Sequence, residues 1–218
     1  MKMSKEERAL ALEYIKLFVA KGLVEFYKKS REERRTSSLW DWYDDAKLEN
    51  SGFNYADGAT KAVLMNDELD WVIKFVRPDE ERDWCGREYE NYVLAEEAGL
   101  GYYFAATEYL CEVEGIRFYA QEMVICDESV DSSIADSYER RLQERGEEYD
   151  IDSIWEDIEN MDAADRVELL YGDTELCQFV WERRINDLHC GNFGIAGDRY
   201  VMIDYSGFGL QVFMDKPE

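Results

Sequence analysis

The 218-residue chain carries 50 acidic against 25 basic side chains, a net charge of −25, and 46% of its residues are hydrophobic. That apolar content is a globular protein's, enough for one core or two small lobes. The charge argues against a nucleic-acid backbone or an anionic membrane as partner. No apolar run reaches membrane-spanning length. The charged start Met1-Lys2-Met3-Ser4-Lys5 shows no secretory signal, so a cytoplasmic setting, including delivery into a host cytosol, is expected. Five cysteines without a Cys-x-x-Cys spacing read as reduced thiols. A single histidine, His189, disfavours a histidine-based zinc site or a Ser-His-Asp hydrolase.

Ser4-Lys5-Glu6-Glu7 is a capping-box pattern, and Leu10, Tyr14, Leu17 and Phe18 continue it at helical spacing, which predicts a helix from about residue 5 to Ala20 with Gly22 near its end. Residues 28–36 are dense in Lys and Arg and read as a solvated helix face. Leu39-Trp40-Asp41-Trp42-Tyr43 is expected to pack this helical extension, residues 1–47, against the segments after it. From Leu48 the pattern changes to short segments. Gly52 and Gly58 lie in a turn-rich stretch before Lys61 to Met65, and Trp71-Val72-Ile73-Lys74-Phe75-Val76 is a strand with a charge at its centre. A helix is predicted between Glu80 and Ala98, closed by Gly99. With Tyr92 and Leu94 facing the core, Glu88 is the expected partner of Lys74, and Glu90, about 200° away on the helix wheel, is the fallback. Two strands come next, roughly Tyr103 to Val113 and Ile116 to Val124, joined at Glu114-Gly115. Residues 127–165 are acidic and helical in pattern with a break at Gly146, and Glu168 to Arg184 reads as one buried helix.

The most informative stretch is Ile185-Asn186-Asp187-Leu188-His189-Cys190-Gly191-Asn192, with Met202-Ile203-Asp204-Tyr205-Ser206-Gly207 downstream. Between them, Phe193 to Ala196, Gly197-Asp198 and Tyr200 to Ile203 predict a hairpin that returns Asp204 to the loop holding Asp187 and Asn192. Two carboxylates and an amide converging there can hold Mg²⁺, which takes oxygen ligands and keeps several waters.

An Asp followed five residues later by Asn, and then by Asp-x-x-Gly, resembles the phosphoryl-transfer signature of the protein-kinase-like superfamily. The form Asp-Leu-His-x-Gly-Asn looks most like its aminoglycoside-phosphotransferase, choline-kinase and atypical-kinase branches. The resemblance implies an α+β, protein-kinase-like two-lobe fold. An antiparallel-sheet N-lobe with one helix would span residues 48–124, followed by a reduced helical C-lobe at 125–218. It further implies ATP with Mg²⁺ or Mn²⁺ between the lobes, and γ-phosphoryl transfer to a hydroxyl of a protein or small molecule. Asp187 would be the catalytic base, and Asn192 and Asp204 the metal ligands. Lys74, held by Glu88, would position the phosphates beneath a loop containing Gly52 and Gly58. Glu122, Met123 and Val124 would form the adenine-binding hinge, and Asp127 or Glu128 could reach the ribose. In a chain this acidic, ATP needs such local cations.

The sequence departs from the pattern in three places. Ile185-Asn186 replaces His-Arg, Tyr205-Ser206-Gly207 replaces Phe-Gly, and Gly-x-Gly-x-x-Gly is absent. Only 11 residues follow Gly207, which implies no activation segment and resembles minimal kinases of bacterial effectors and phage-type proteins. Two other classes compete with this expectation. One is a pseudokinase that binds nucleotide without transfer; the other is an acidic decoy for a basic partner.

Overall fold

The computed structural model describes residues 2–33, 38–126, 129–197 and 199–207, and the side chains of Glu33, Asp57, Cys126 and Cys190 lie outside that description. The fold is α+β and divides into two compact units. Unit 1 comprises residues 1–93 and 106–123; unit 2 comprises residues 94–105 and 124–218. The expected boundaries at 47 and 124 are therefore partly redrawn: the helical extension belongs to unit 1, and the segment 94–105 belongs to unit 2. No helix among the described residues is long and apolar enough to cross a membrane.

Unit 1 begins with α1 (Lys5–Ala20). Its start is set by the capping box, with Glu7 N–H donating to Ser4 Oγ at 3.1 Å and Ser4 N–H to Glu7 Oε2 at 2.6 Å. Those bonds hold the Glu7 carboxyl below its ordinary pKa. Helices α2 (Leu23–Glu33) and α3 (Leu39–Asp45) follow, then β1 (Phe53–Asp57), β2 (Lys61–Asn66) and β3 (Trp71–Val76). After α4 (Trp84–Glu97) come β4 (Thr107–Val113) and β5 (Ile116–Glu122), and the five strands form an antiparallel sheet in the order β1-β2-β3-β5-β4. Ala62 pairs with Phe75 and Leu64 with Ile73, so these residues share one face. Phe53 and Tyr55 extend that face through their pairing with Asn66 and Leu64.

The N-terminal helices cover this apolar face. Phe18 and Tyr14 pack edge-on to Phe53 at 5.0 and 4.8 Å, and Tyr43 stacks on Tyr55 at 5.3 Å. Tyr27 and Tyr43 each bury a hydroxyl by donating to strand carbonyls, Val76 O and Phe53 O respectively. The extension is thus the lid of the sheet's core, as the aromatic run at 39–43 foreshadowed. On the opposite face Lys74 pairs with Tyr119, and α4 crosses there with Tyr89 against the Tyr119 ring. Covered on both faces, β3 is buried nearly throughout.

Unit 2 contains β6 (Ile125–Cys126), α5 (Ser129–Arg145), α6 (Ile151–Asn160), α7 (Ala163–Tyr171), α8 (Thr174–Glu182), β7 (Phe193–Ala196) and β8 (Arg199–Met202). The strands form a small antiparallel sheet, β6-β7-β8. Several expected elements are corrected here. The single helix expected over 168–184 is two, because Gly172 at φ +66° closes α7 and Asp173 opens α8, its carboxylate accepting from Leu176 N–H at 3.0 Å. Leu169, Leu176 and Val180 are buried as expected, yet they belong to two helices. The strand expected from Tyr103 starts at Thr107, since Gly101–Tyr103 is a 3₁₀ turn. On α4 the inward face is Glu88, Asn91, Tyr92 and Ala95, whereas Leu94 is exposed.

Arg166 of α7 is buried and acts as a cap for α6. Its guanidinium donates to Ile158 O at 2.5 Å and approaches Asp131 at 3.8 Å. The carbonyl also accepts from Met161 N–H at 3.2 Å, so the guanidinium adds a second donor at the C-terminal end of α6.

Candidate functional site

The charged cluster of unit 1 is built on three elements. Lys74 projects from the middle of β3 toward α4, where Glu88 stands one turn past the helix start. Lys74 Nζ lies 2.6 Å from Glu88 Oε2, and both side chains are almost wholly buried. The pairing chosen from helix phase is the one found, and Glu90, the fallback, is exposed. The structure adds a partner that the sequence did not suggest. Lys61 of β2 sits 2.5 Å from Glu88 Oε1, equally buried, so one carboxylate serves two ammonium groups. Register explains the arrangement. Val63 pairs with Lys74 and Lys61 with Val76, which places both lysines on the same face as diagonal neighbours.

Polar groups surround this cluster. Gln121 of β5 accepts from Lys74 Nζ at 3.2 Å and donates to Thr107 Oγ1 at 3.1 Å. Asn91, one helical turn beyond Glu88, is fully buried. Burial pushes the Cys85 thiol far up, with the Glu88 carboxylate adding to the shift and the two lysines opposing it. That thiol is therefore protonated and unreactive at neutral pH.

The glycines are placed differently from the expectation. Gly52 ends a 3₁₀ turn at φ +78°, its carbonyl accepting from Asn66 Nδ2 at 3.1 Å, and the whole of β1 separates it from Gly58. A single loop holding both is ruled out. Only Gly58 lies in the β1–β2 connection, where its N–H donates to Lys61 O at 3.0 Å. The expected hinge is also occupied in part. Glu122 N–H donates to Ala106 O at 2.8 Å, and its carboxylate accepts from Ala106 N–H at 3.2 Å, closing the end of the β4–β5 pair. Met123 N–H donates to Asp70 O at 3.0 Å, and its side chain is 40% exposed. Val124 begins unit 2, where it packs against Gly194. Asp127 and Glu128 lie outside the described residues.

The second cluster belongs to unit 2. The chain leaves α8 through Ile185, whose N–H returns to Val180 O, and Ile185 and Leu188 are buried as anchors on either side of exposed Asn186 and half-buried Asp187. A tight 3₁₀ turn at Cys190–Asn192 then reverses the chain, with Asn192 N–H donating to His189 O and Gly191 N–H to His189 Nδ1. Buried Asn192 donates Nδ2–H to Asp187 O at 2.5 Å. That bond fixes the amide with its oxygen directed away from Asp187 O, leaving the oxygen as an acceptor.

The β7–β8 hairpin runs from Phe193–Met202 to Ala196–Arg199, and Ile203 N–H donates to Asn192 O at 3.0 Å. This bond sets Asp204 one residue beyond the partner of Asn192, as the hairpin expectation required, although Asp198 in its turn lies outside the described residues. Ser206 Oγ donates to Asp204 Oδ1 at 3.2 Å, and buried Tyr205 anchors the segment by donating its hydroxyl to Ala105 O at 2.7 Å. Among the described residues no group of three or more His, Cys, Asp or Glu gathers as a metal site. The donors on offer are instead an amide oxygen from Asn192 and a carboxylate from Asp204. That oxygen-only set suits a Mg²⁺ ion that keeps waters and phosphate oxygens for its remaining positions.

An open cleft of about 310 Å³ elsewhere in unit 1, walled by Arg31, Arg82, Arg117, Glu80 and Glu112, contains none of the expected site residues. Its Arg117 already pairs with Glu112 and Asp83. Comparison with protein-family models, with curated proteins and with solved structures found no match.

Proposed function

We propose that this protein is a Mg²⁺-dependent phosphotransferase of the protein-kinase-like kind, moving the γ-phosphoryl group of ATP to a hydroxyl acceptor. The observation that carries the reading is the buried Lys74–Glu88 ion pair, 2.6 Å long, between a central strand and the helix that follows it. A buried ion pair is a poor way to gain stability, because desolvating both charges offsets much of their attraction. A lysine held in a fixed position for a phosphate gives that cost a purpose. The loop of unit 2 supports the same reading, since it orients Asn192 and delivers Asp204 as the order Asp, Asn, Asp requires.

In this mechanism Lys74, steadied by Glu88, donates to phosphate oxygens. Asn192 and Asp204 hold the metal by their side-chain oxygens. Asp187 orients the acceptor hydroxyl and takes its proton as transfer proceeds. Bound Mg²⁺ supplies neutralisation of the charge on the transferring group. With the Met123 N–H engaged by Asp70 O, adenine recognition would fall to other groups of residues 122–124.

One observation favours a second reading, a nucleotide-binding module without transfer: the β1–β2 connection has a single glycine and no Gly-x-Gly-x-x-Gly to cradle phosphates. The test is label transfer from γ-labelled ATP with Mg²⁺ or Mn²⁺ to the protein itself and to a lysate, wild type beside Asp204→Ala. Asp204-dependent labelling establishes the phosphotransferase. No labelling while ATP still raises the melting temperature selects the binding module. No labelling and no nucleotide binding removes both, and attention turns to basic partners of the −25 charge.

A further inference from the structure

We infer that Asp83 is the positioning residue that holds Glu88 in reach of Lys74, by fastening the start of α4 to β5. The inference concerns the seat of the helix, and it rests on the phosphotransferase reading only where it extends to catalysis. Asp83 stands immediately before α4 and caps it. Its Oδ1 accepts from Gly86 N–H at 2.8 Å and its carbonyl accepts from Arg87 N–H at 3.0 Å. Capping uses one carboxylate oxygen. The other, Oδ2, turns away from the helix and accepts from two side chains of β5, Tyr119 OH at 2.7 Å and Arg117 Nη1 at 3.1 Å.

Tyr119 lies directly opposite Lys74 in the β3–β5 pairing, so the two side chains leave the sheet on the same face. Helix α4 therefore meets one rung of the sheet twice, with Asp83 on Tyr119 and Glu88 on Lys74 at 2.6 Å. Residues five apart are separated by about 7.5 Å along a helix axis, so a helix held at both contacts cannot slide or turn without breaking one of them. Gly86 shows how closely the parts are drawn together. A Cβ there would stand 2.6 Å from Asp83 Oδ2 and 2.9 Å from Tyr119 Oη. Tyr119 is buried, and burial followed by the Asp83 bond pushes its hydroxyl pKa up, so it remains a donor at neutral pH. Arg117 is exposed and has a second carboxylate in Glu112, so the Tyr119 bond is the stronger part of the fastening.

Three substitutions separate the cap from the fastening. Asp83→Ser keeps a capping oxygen but is one bond too short to serve Tyr119 as well. Tyr119→Phe keeps the cap and removes the hydroxyl, and Asp83→Ala removes both contacts. Cys85, in the first turn of α4, is the reporter: it is fully buried and its thiol is protonated, so N-ethylmaleimide reaches it only when the helix start opens. Labelling of Cys85, located by peptide mass spectrometry, should quicken about tenfold or more in Asp83→Ser and in Tyr119→Phe, while amide exchange in β3 stays at the wild-type rate. Wild-type labelling rates in both variants would make Asp83 a helix cap only. Faster exchange throughout β3 would mean a general loss of stability and would also overturn the assignment. In the γ-labelled ATP assay both variants should lose transfer in step with Cys85 labelling, and full activity in both would remove the link from helix seat to reaction. If the wild type transfers nothing, the phosphotransferase reading falls, while Cys85 labelling still decides what holds α4.

Discussion

In unit 1 the candidate charges lie inside the sheet–helix core, with Glu88 sealed between Lys61 and Lys74. In unit 2 Asp187 and Asp204 stand half-buried on a loop shaped by backbone hydrogen bonds. The contrast concerns what holds a functional group in place. The lysines are positioned by strand register and by each other's counter-ion, so their geometry and the stability of the unit are coupled. The carboxylates stand beside buried neighbours, Leu188, Asn192 and Tyr205, and Asp204 accepts from the Ser206 hydroxyl. If the proposed function holds, substitutions at the lysine cluster should cost more stability than substitutions at the two carboxylates.

That difference can be broken most forcefully at Glu88. Glu88→Ala removes the carboxylate that both buried ammonium groups use, and should cost about 3–5 kcal/mol in urea unfolding. A loss below about 1 kcal/mol would show that other groups hold the lysines. Next in size is Gly194→Ala in β7, where a Cβ would stand 2.5 Å from Val124 Cγ2 and 3.0 Å from Ile125 O. The expected cost is about 1–3 kcal/mol, accompanied by faster amide exchange across the β6–β7 pair. An unchanged exchange pattern would mean that the strands separate freely to admit the methyl group.

A smaller effect is expected at Asp173, the N-cap of α8. Hydrogen bonds from Leu176 N–H and then Tyr103 OH hold its carboxyl below the ordinary value, while the same contact pushes Tyr103 up to about 12. A carboxyl with a depressed folded pKa stabilises the fold fully above its unfolded value, near 3.9, and loses that contribution as pH falls toward the folded value. Asp173→Ala should cost about 1 kcal/mol at pH 7, and the gap to wild type should close below about pH 4. A gap that persists in acid would mean that packing, not the charged cap, is responsible. The smallest stability change belongs to the residues assigned the chemistry. Asp187→Ala and Asp204→Ala should leave unfolding free energy within about 1 kcal/mol of wild type while phosphoryl transfer disappears. A variant that unfolds and loses activity together would erase the contrast between the two units.

Local signals were legible because their physics is local. Ser4 and Glu7 satisfy each other's backbone within one turn, so the start of α1 is visible in four residues. Glu114 and Gly115 both take positive φ, as a two-residue hairpin demands, and their identity announces the turn. Gly172-Asp173 was equally available as a stop followed by a start, yet the run of Leu169, Leu176 and Val180 at helical spacing masked it, since hydrophobic periodicity persists across a short break. Leu94 shows the reverse: an apolar residue counted toward the core lies outside it, because Asn91 and Ala95 take the inward positions.

By itself the sequence determined the periodicities and caps of the elements, the five-residue spacing of Asp187 and Asn192, the hairpin that brings Asp204 back, and the helix phase that turns Glu88 toward Lys74. All of these arise from geometry within one element or across one tight turn. Only the tertiary structure decided that Lys61 joins Lys74 on Glu88, that the N-terminal helices form the lid of the sheet, that Gly52 and Gly58 serve different turns, and that Asp70 takes the Met123 N–H. Each of these depends on which residues face one another across strands or between helices and sheet. That register emerges when the apolar faces are buried together, and no single segment carries it.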